Sequence, residues 1–101
     1  MAKRIIWSEK AERIFIQILE FYIERNGSKA YSRKLNNEVL ALLSILSKQP
    51  FLGIKTEIKN VRVFIRRDYK IFYQIENDSL VILLVWDCIQ NPEALNLVAK
   101  S

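Results

Sequence analysis

The sequence predicts an α+β domain: an N-terminal strand, an antiparallel helix hairpin packed on one face of a mostly antiparallel β-sheet, and a short C-terminal helix. Three observations carry that expectation. From Ala11 to Leu46 apolar residues recur at the three-to-four spacing of a helical face. From Val61 onward the period drops to two. The run Leu80 to Trp86 is then apolar at every position, as in a strand covered on both sides.

Each element has a local reason. Arg4 to Trp7 is short and β-prone, and Ser8 ends it with a hydroxyl suited to capping a helix. Glu9 and Glu12 fall in the first turn, where the macrodipole favours negative charge. Ala11, Ile14, Phe15, Ile18, Leu19 and Tyr22 share one face of a helix running from about Glu9 to Arg25. Asn26-Gly27 stops it, because glycine accepts the left-handed conformation of a helix end, and Ser28 offers a second N-cap. Leu35, Val39, Leu42, Leu43 and Leu46 line a second helix, and so short a link forces an antiparallel hairpin. Gln49-Pro50 closes it, since proline biases its predecessor away from helical geometry.

After Gly53, Val61, Val63 and Ile65 alternate with Arg62, Phe64 and Arg66, the pattern of a strand with one buried face. Arg67-Asp68 reads as a tight turn. Tyr69 to Ile75 follows as a strand with Ile71, Tyr73 and Ile75 on one side. Glu76 to Ser79 is rich in residues that bond their own backbone and makes the next turn. Pro92 begins the last helix, through Glu93, Leu95 and Val98, because proline is tolerated at a first helical position.

Composition sets bounds on function. At 101 residues the chain fits one domain, 1–101, with a single core. It contains no histidine, which removes the commonest general base, the usual zinc ligand and every nucleophile that needs an imidazole. No metal or cofactor is expected. The lone Cys88 fits a reducing compartment and follows a buried strand, where a structural thiol is the better reading. No apolar run approaches a membrane span, the N-terminus is too short in its apolar part for a secretory signal, and a cytoplasmic protein is expected.

Sixteen Lys and Arg against eleven Asp and Glu leave a net charge of +5, unevenly distributed. Between Ile54 and Lys70 stand Lys55, Lys59, Arg62, Arg66, Arg67 and Lys70 against only Glu57 and Asp68, so this segment holds nearly all of the net charge. Alternation places Arg62 and Arg66 on one face with Phe64 between them. Cations around an aromatic ring suit phosphates and stacked bases, and a plain solvated sheet face accounts for the pattern equally well. Asp87, Glu76 and Glu93 fit turn and cap roles. Tyr22 and Tyr73 share faces with aliphatic residues and belong to the core, whereas Tyr69, beside the basic turn, is expected to be more open.

The strand ending in Trp7-Ser8, the helix hairpin, Pro50-Phe51-Leu52-Gly53 and Asn60-Val61-Arg62-Val63 form an ordered set of motifs. That set resembles the RelE/ParE superfamily, toxins of bacterial type II toxin–antitoxin modules. Asp68-Tyr69-Lys-Ile-Phe-Tyr73 is similar to the family's "DYRIxY" strand, and Trp86-Asp87-Cys-Ile-Gln-Asn-Pro92-Glu-Ala-Leu95 to the "WDxRQNPxxL" ending of one branch. The resemblance spans nearly the whole chain. It implies a plasmid-stabilisation type of growth-arresting protein neutralised by a cognate antitoxin, in a toxin–antitoxin hetero-oligomer. RelE-like members cut mRNA in the ribosomal A site, and ParE-like members poison DNA gyrase.

In the RelE reaction the RNA's own 2′-hydroxyl attacks, while Lys and Arg stabilise charge and a tyrosine or other group handles protons. The resemblance would give those roles to Arg62, Lys55, Lys59 and Tyr69. Where that family's ending carries arginine, this chain has Ile89, which favours a ParE-like or degenerate site. The expectation is a toxin acting through binding, with a polyanion or target surface of Arg62, Arg66, Arg67 and Lys70. The alternatives are a ribosome-dependent endoribonuclease and an inactive toxin-like binding module. Ile16 and Phe51 fall outside the core stripes and are candidates for the antitoxin contact. The competing reading packs them under loops of the monomer.

Overall fold

A computed structural model of the chain describes residues 2–90. The helix expected from Pro92 through Glu93, Leu95 and Val98 lies outside the described residues. The elements run β1 (Arg4–Trp7), α1 (Glu9–Asn26), α2 (Ala30–Lys48), a 3-10 turn (Pro50–Leu52), β2 (Ile54–Lys55), β3 (Val61–Ile65), β4 (Tyr69–Ile75) and β5 (Ser79–Asp87). The sheet order is β1-β5-β4-β3-β2, with β1 parallel to β5 and the other neighbours antiparallel. Parallel pairing requires a crossover, and the helix hairpin between β1 and the later strands supplies it. This is the α+β architecture that the periodicities predict. Among the described residues no helix is long and apolar enough to cross a membrane.

The helix ends follow local chemistry. Ser8 accepts the Ala11 N–H at 3.0 Å as the N-cap of α1, and Gly27 closes that helix at φ 64°, a conformation a side chain would strain. Ser28 departs from expectation. Its hydroxyl accepts the Ala30 N–H at 3.1 Å, but the N-cap of α2 is Lys29, which makes no side-chain cap. The bond two residues on is a turn bond, so it sets the link between the helices rather than the helix start.

The core lies between the hairpin and the sheet. Phe15, Ile18, Tyr22, Val39, Leu43 and Leu46 pack on Ile71, Tyr73, Leu80, Ile82 and Val85. A register shift lets β5 serve this face along its length. Phe72 opposes Leu84 while Tyr73 opposes Ile82, so Leu83 is the extra residue, and buried positions pass from Leu80 and Ile82 to Val85 and Asp87. Val63 and Phe72, with Leu83, Leu84 and Trp86, form a second cluster. The single buried face expected for β3 is therefore corrected: Phe64 packs on the main core, Val61 and Val63 are buried by the alternate face, and Ile65 is exposed. An inner antiparallel strand can use both faces, which alternation alone does not reveal.

Candidate functional site

The site is built at the corner where α2 gives way to the sheet. Tyr73, fully buried in β4, donates its hydroxyl to the Pro50 carbonyl at 2.7 Å and accepts the Gly53 N–H at 2.9 Å. A Cβ at Gly53 would collide with that hydroxyl, so the close approach requires glycine. Burial pushes the Tyr73 phenol up, opposed by the Gly53 N–H and the Arg62 charge. Arg62, directly opposite Tyr73 across the β3–β4 pair, donates Nη1 to the Gly53 carbonyl at 2.7 Å and to the Phe51 carbonyl at 3.3 Å. Its guanidinium lies 4.9 Å from the Phe51 ring centroid, a cation–π contact. Phe51 is 69% exposed, the largest value among the exposed large hydrophobic residues, yet it is held from both sides.

Next to this clamp lies an open concavity of about 500 Å³, lined by Phe51, Lys55 to Arg62 and Ile75. The β2–β3 loop shapes it around Thr56, whose hydroxyl accepts the Ile58 N–H at 3.2 Å and donates to the Val61 carbonyl at 3.0 Å. Asn60 adopts φ 65°, a left-handed conformation asparagine tolerates better than most residues, and its carbonyl accepts the Ile75 N–H. The loop brings Lys55, Lys59 and Arg62 to one wall system, with Glu57 as the one carboxylate among the lining residues. The charge and the exposed apolar Phe51, Ile54 and Ile58 suit an anionic partner with an apolar face.

The remaining predicted cations lie elsewhere. Arg66 and Arg67 stand at the opposite end of β3, in the turn to β4, where Arg67 faces Asp68 at 3.9 Å with its side chain 95% exposed. Lys70 pairs with Ile65 and Trp86 across the sheet, on the face away from the helices. The six cations therefore form two groups rather than one platform.

Tyr69 is the clearest correction to the candidate set. It was expected to be open and is 4% exposed, because β4 alternation places it with Ile71 and Tyr73 under the helices. A small cavity of about 30 Å³ adjoins it, lined also by Tyr31, Lys34, Leu35, Glu38 and Asp68. Burial raises the pKa of its hydroxyl, and Arg66 opposes that rise through a hydrogen-bonding contact and through its charge. Arg62 lies opposite Tyr73, four residues along β4 from Tyr69 and so roughly 13 Å away along the strand. The structure brings Lys55, Lys59 and Arg62 together and leaves Tyr69 out. Ile16 is exposed on α1 beside Glu12, Arg13 and Glu20, away from the 3-10 turn that carries Phe51.

The sequence also undervalued Asp87. Its carboxylate is 7% exposed and accepts from the Tyr22 hydroxyl at 2.7 Å, the Ile89 N–H at 3.0 Å and the Gln90 amide. The turn role was legible in the spacing to Ile89, but the tyrosine lies 65 residues away in sequence. Cys88 is partly buried, and burial pushes its thiol up, the wrong direction for a nucleophile. No group of His, Cys, Asp or Glu among the described residues could hold a metal ion.

Known proteins share this fold. The family model for the ParE toxin of the type II toxin-antitoxin system, parDE, matches residues 5–92. No curated protein matches the chain. Among solved structures, a chain described as the chromosomal ParDE TA system from P. aeruginosa is similar with a TM-score of 0.71. Its identity is 17%, over 85% of this chain and 96% of that chain, so the likeness is one of fold.

Proposed function

The chain belongs to the ParE toxin family of type II toxin–antitoxin systems, and from that premise we propose that it arrests growth by binding its target through the β2–β3 concavity, with no catalysis of its own. The single observation that carries this reading is the separation of Tyr69 from Lys55, Lys59 and Arg62. A ribonuclease of the RelE type needs a proton-handling group within hydrogen-bond reach of the charges that stabilise the phosphate. Here the tyrosine is buried with no access to that cavity, and Arg62 spends a nitrogen on two backbone carbonyls.

The target class is the one ParE-like toxins engage, DNA gyrase. The partner is a cognate antitoxin, whose acidic segments complement the cationic wall and whose apolar side chains meet Phe51 and the hairpin surface near Ile16. The second cationic group, Arg66, Arg67 and Lys70, is a separate anionic contact. The protein acts as one domain in the cytoplasm.

Induced expression without antitoxin tests the reading. Growth arrest with stabilised gyrase–DNA breaks and intact mRNA is the expected result. Codon-position mRNA cuts on purified ribosomes would overturn it in favour of the nuclease, and unimpaired growth with abundant folded protein would favour an inactive binding module.

A further inference from the structure

The strand β1 lies at one edge of the sheet, and its outer side is unfinished. Its pairing with β5 directs the N–H groups of Arg4 and Ser8 inward, to Asp78 and Ile82, and by alternation that of Ile6 as well. The odd positions face outward. Lys3 donates its N–H to the Ser47 carbonyl at the end of α2, but the outward N–H and C=O groups of Ile5 and Trp7 meet no described residue. Main-chain groups rarely remain unpaired unless water or another chain reaches them. Beside them Ile6, on the face away from the helices, is 40% exposed.

We propose that two copies of this chain associate by antiparallel pairing of their β1 edges about a two-fold axis at Ile6. Among the described residues of β1 only Ile5 and Trp7 carry outward ladder groups with no bond, and that fixes the register. Ile5 exchanges both main-chain bonds with Trp7 of the second copy, and the symmetric pair repeats the exchange. Ile6 then meets its own counterpart at the axis as a close, non-hydrogen-bonded pair.

Charge favours a second copy over an unrelated strand. The C-terminus of α2, ending in Lys48, lies beside Lys3 through the Ser47 bond. In this register it faces the first turn of the other copy's α1, which carries Glu9 and Glu12 as well as Lys10. A basic helix end thus meets an acidic helix start, and the opposed ends of the two macrodipoles attract. The paired segment is short, so the dimer is weak and concentration-dependent.

The test uses the full chain, by light scattering across a concentration series. The mass is expected to rise from 11.9 kDa toward twice that value. Ile6→Lys, at an exposed position, is expected to weaken association by about tenfold or more while circular dichroism stays native. Lys48→Glu weakens it too, and adding Glu9→Lys with Glu12→Lys restores it. As an independent readout, Ile6→Cys in a Cys88→Ser background forms an intermolecular disulfide on mild oxidation. A monomer at every concentration, a dimer indifferent to Ile6→Lys, or no cross-link would overturn the proposal. So would a monomeric free chain whose Ile5 and Trp7 amides gain exchange protection only when antitoxin is added.

Discussion

Tyr73 clamps the turn at Gly53 in two directions: the phenol oxygen accepts the glycine N–H at 2.9 Å and its O–H donates a hydrogen bond to the carbonyl of Pro50 at 2.7 Å. The tyrosine comes from the centre of the sheet and the glycine from the turn after α2. This contact ties the exposed Phe51 to the core, and Arg62 completes it from the neighbouring strand. An aromatic ring held in place before binding loses little conformational entropy when a partner arrives.

Removing the hydroxyl should loosen that turn. Tyr73→Phe leaves a buried N–H and a carbonyl without their partner and is expected to cost about 1–3 kcal/mol of stability. Urea unfolding measures the loss, and faster amide exchange at Gly53 localises it. An unchanged midpoint would show that the turn is held by packing alone.

Lys55 and Lys59 are exposed, and the loop that carries them is held by the hydroxyl of Thr56 and the backbone of Asn60. Reversing both to glutamate is expected to abolish growth arrest while stability changes by less than about 1 kcal/mol. Thermal melts and induced-growth curves, run together, check it. Undiminished toxicity would remove the concavity from the target surface.

Arg62→Lys retains charge but loses the planar fork and the stacking on Phe51. A loss of about 1–2 kcal/mol is expected, with a mobile Phe51 ring seen by NMR line shape.

Tyr69 separates the two mechanisms. Its hydroxyl is buried with Arg66 beside it, so Tyr69→Phe removes one buried polar atom and is expected to change stability by no more than about 1 kcal/mol. Toxicity is expected to persist. Its loss in a folded variant would return the phenol to catalysis.

Alkaline pH probes the Tyr22–Asp87 bond. Burial first, then the carboxylate that accepts the proton, raises the Tyr22 phenol above its ordinary value of 10.0. The folded state therefore keeps its proton longer than the unfolded chain. That contribution is complete below pH 10 and is lost as pH climbs above it. Tyr22→Phe is expected to flatten this alkaline decline, measured as unfolding free energy against pH, with phenolate absorbance following the titration.

Much of the fold was written in the periodicities. Ser8 and Gly27 mark the limits of α1 through chemistry confined to a few neighbouring residues, and the Leu35-to-Leu46 stripe needs only a helix to become a face. The two-residue β2 carried no such signal, because a strand that short shows no alternation. Val63 also misled: its alternation is real, but which face of an inner strand meets the helices is decided by neighbours from elsewhere in the chain.

The same division runs through the site. Composition alone identified an excess of cations between Ile54 and Lys70 and the absence of histidine, since these depend on residue identity and order. Whether the cations are neighbours depends on strand register and loop geometry. The Thr56-centred loop gathers Lys55, Lys59 and Arg62, whereas the length of β3 carries Arg66 and Arg67 to its other end. Tyr69 turned inward because β4 pairs centrally and its odd positions join the core shared with the helices. Local rules act over a helical turn or a strand's alternation. Which side chains share a cavity is set by contacts between segments dozens of residues apart, and those exist only once the chain has packed.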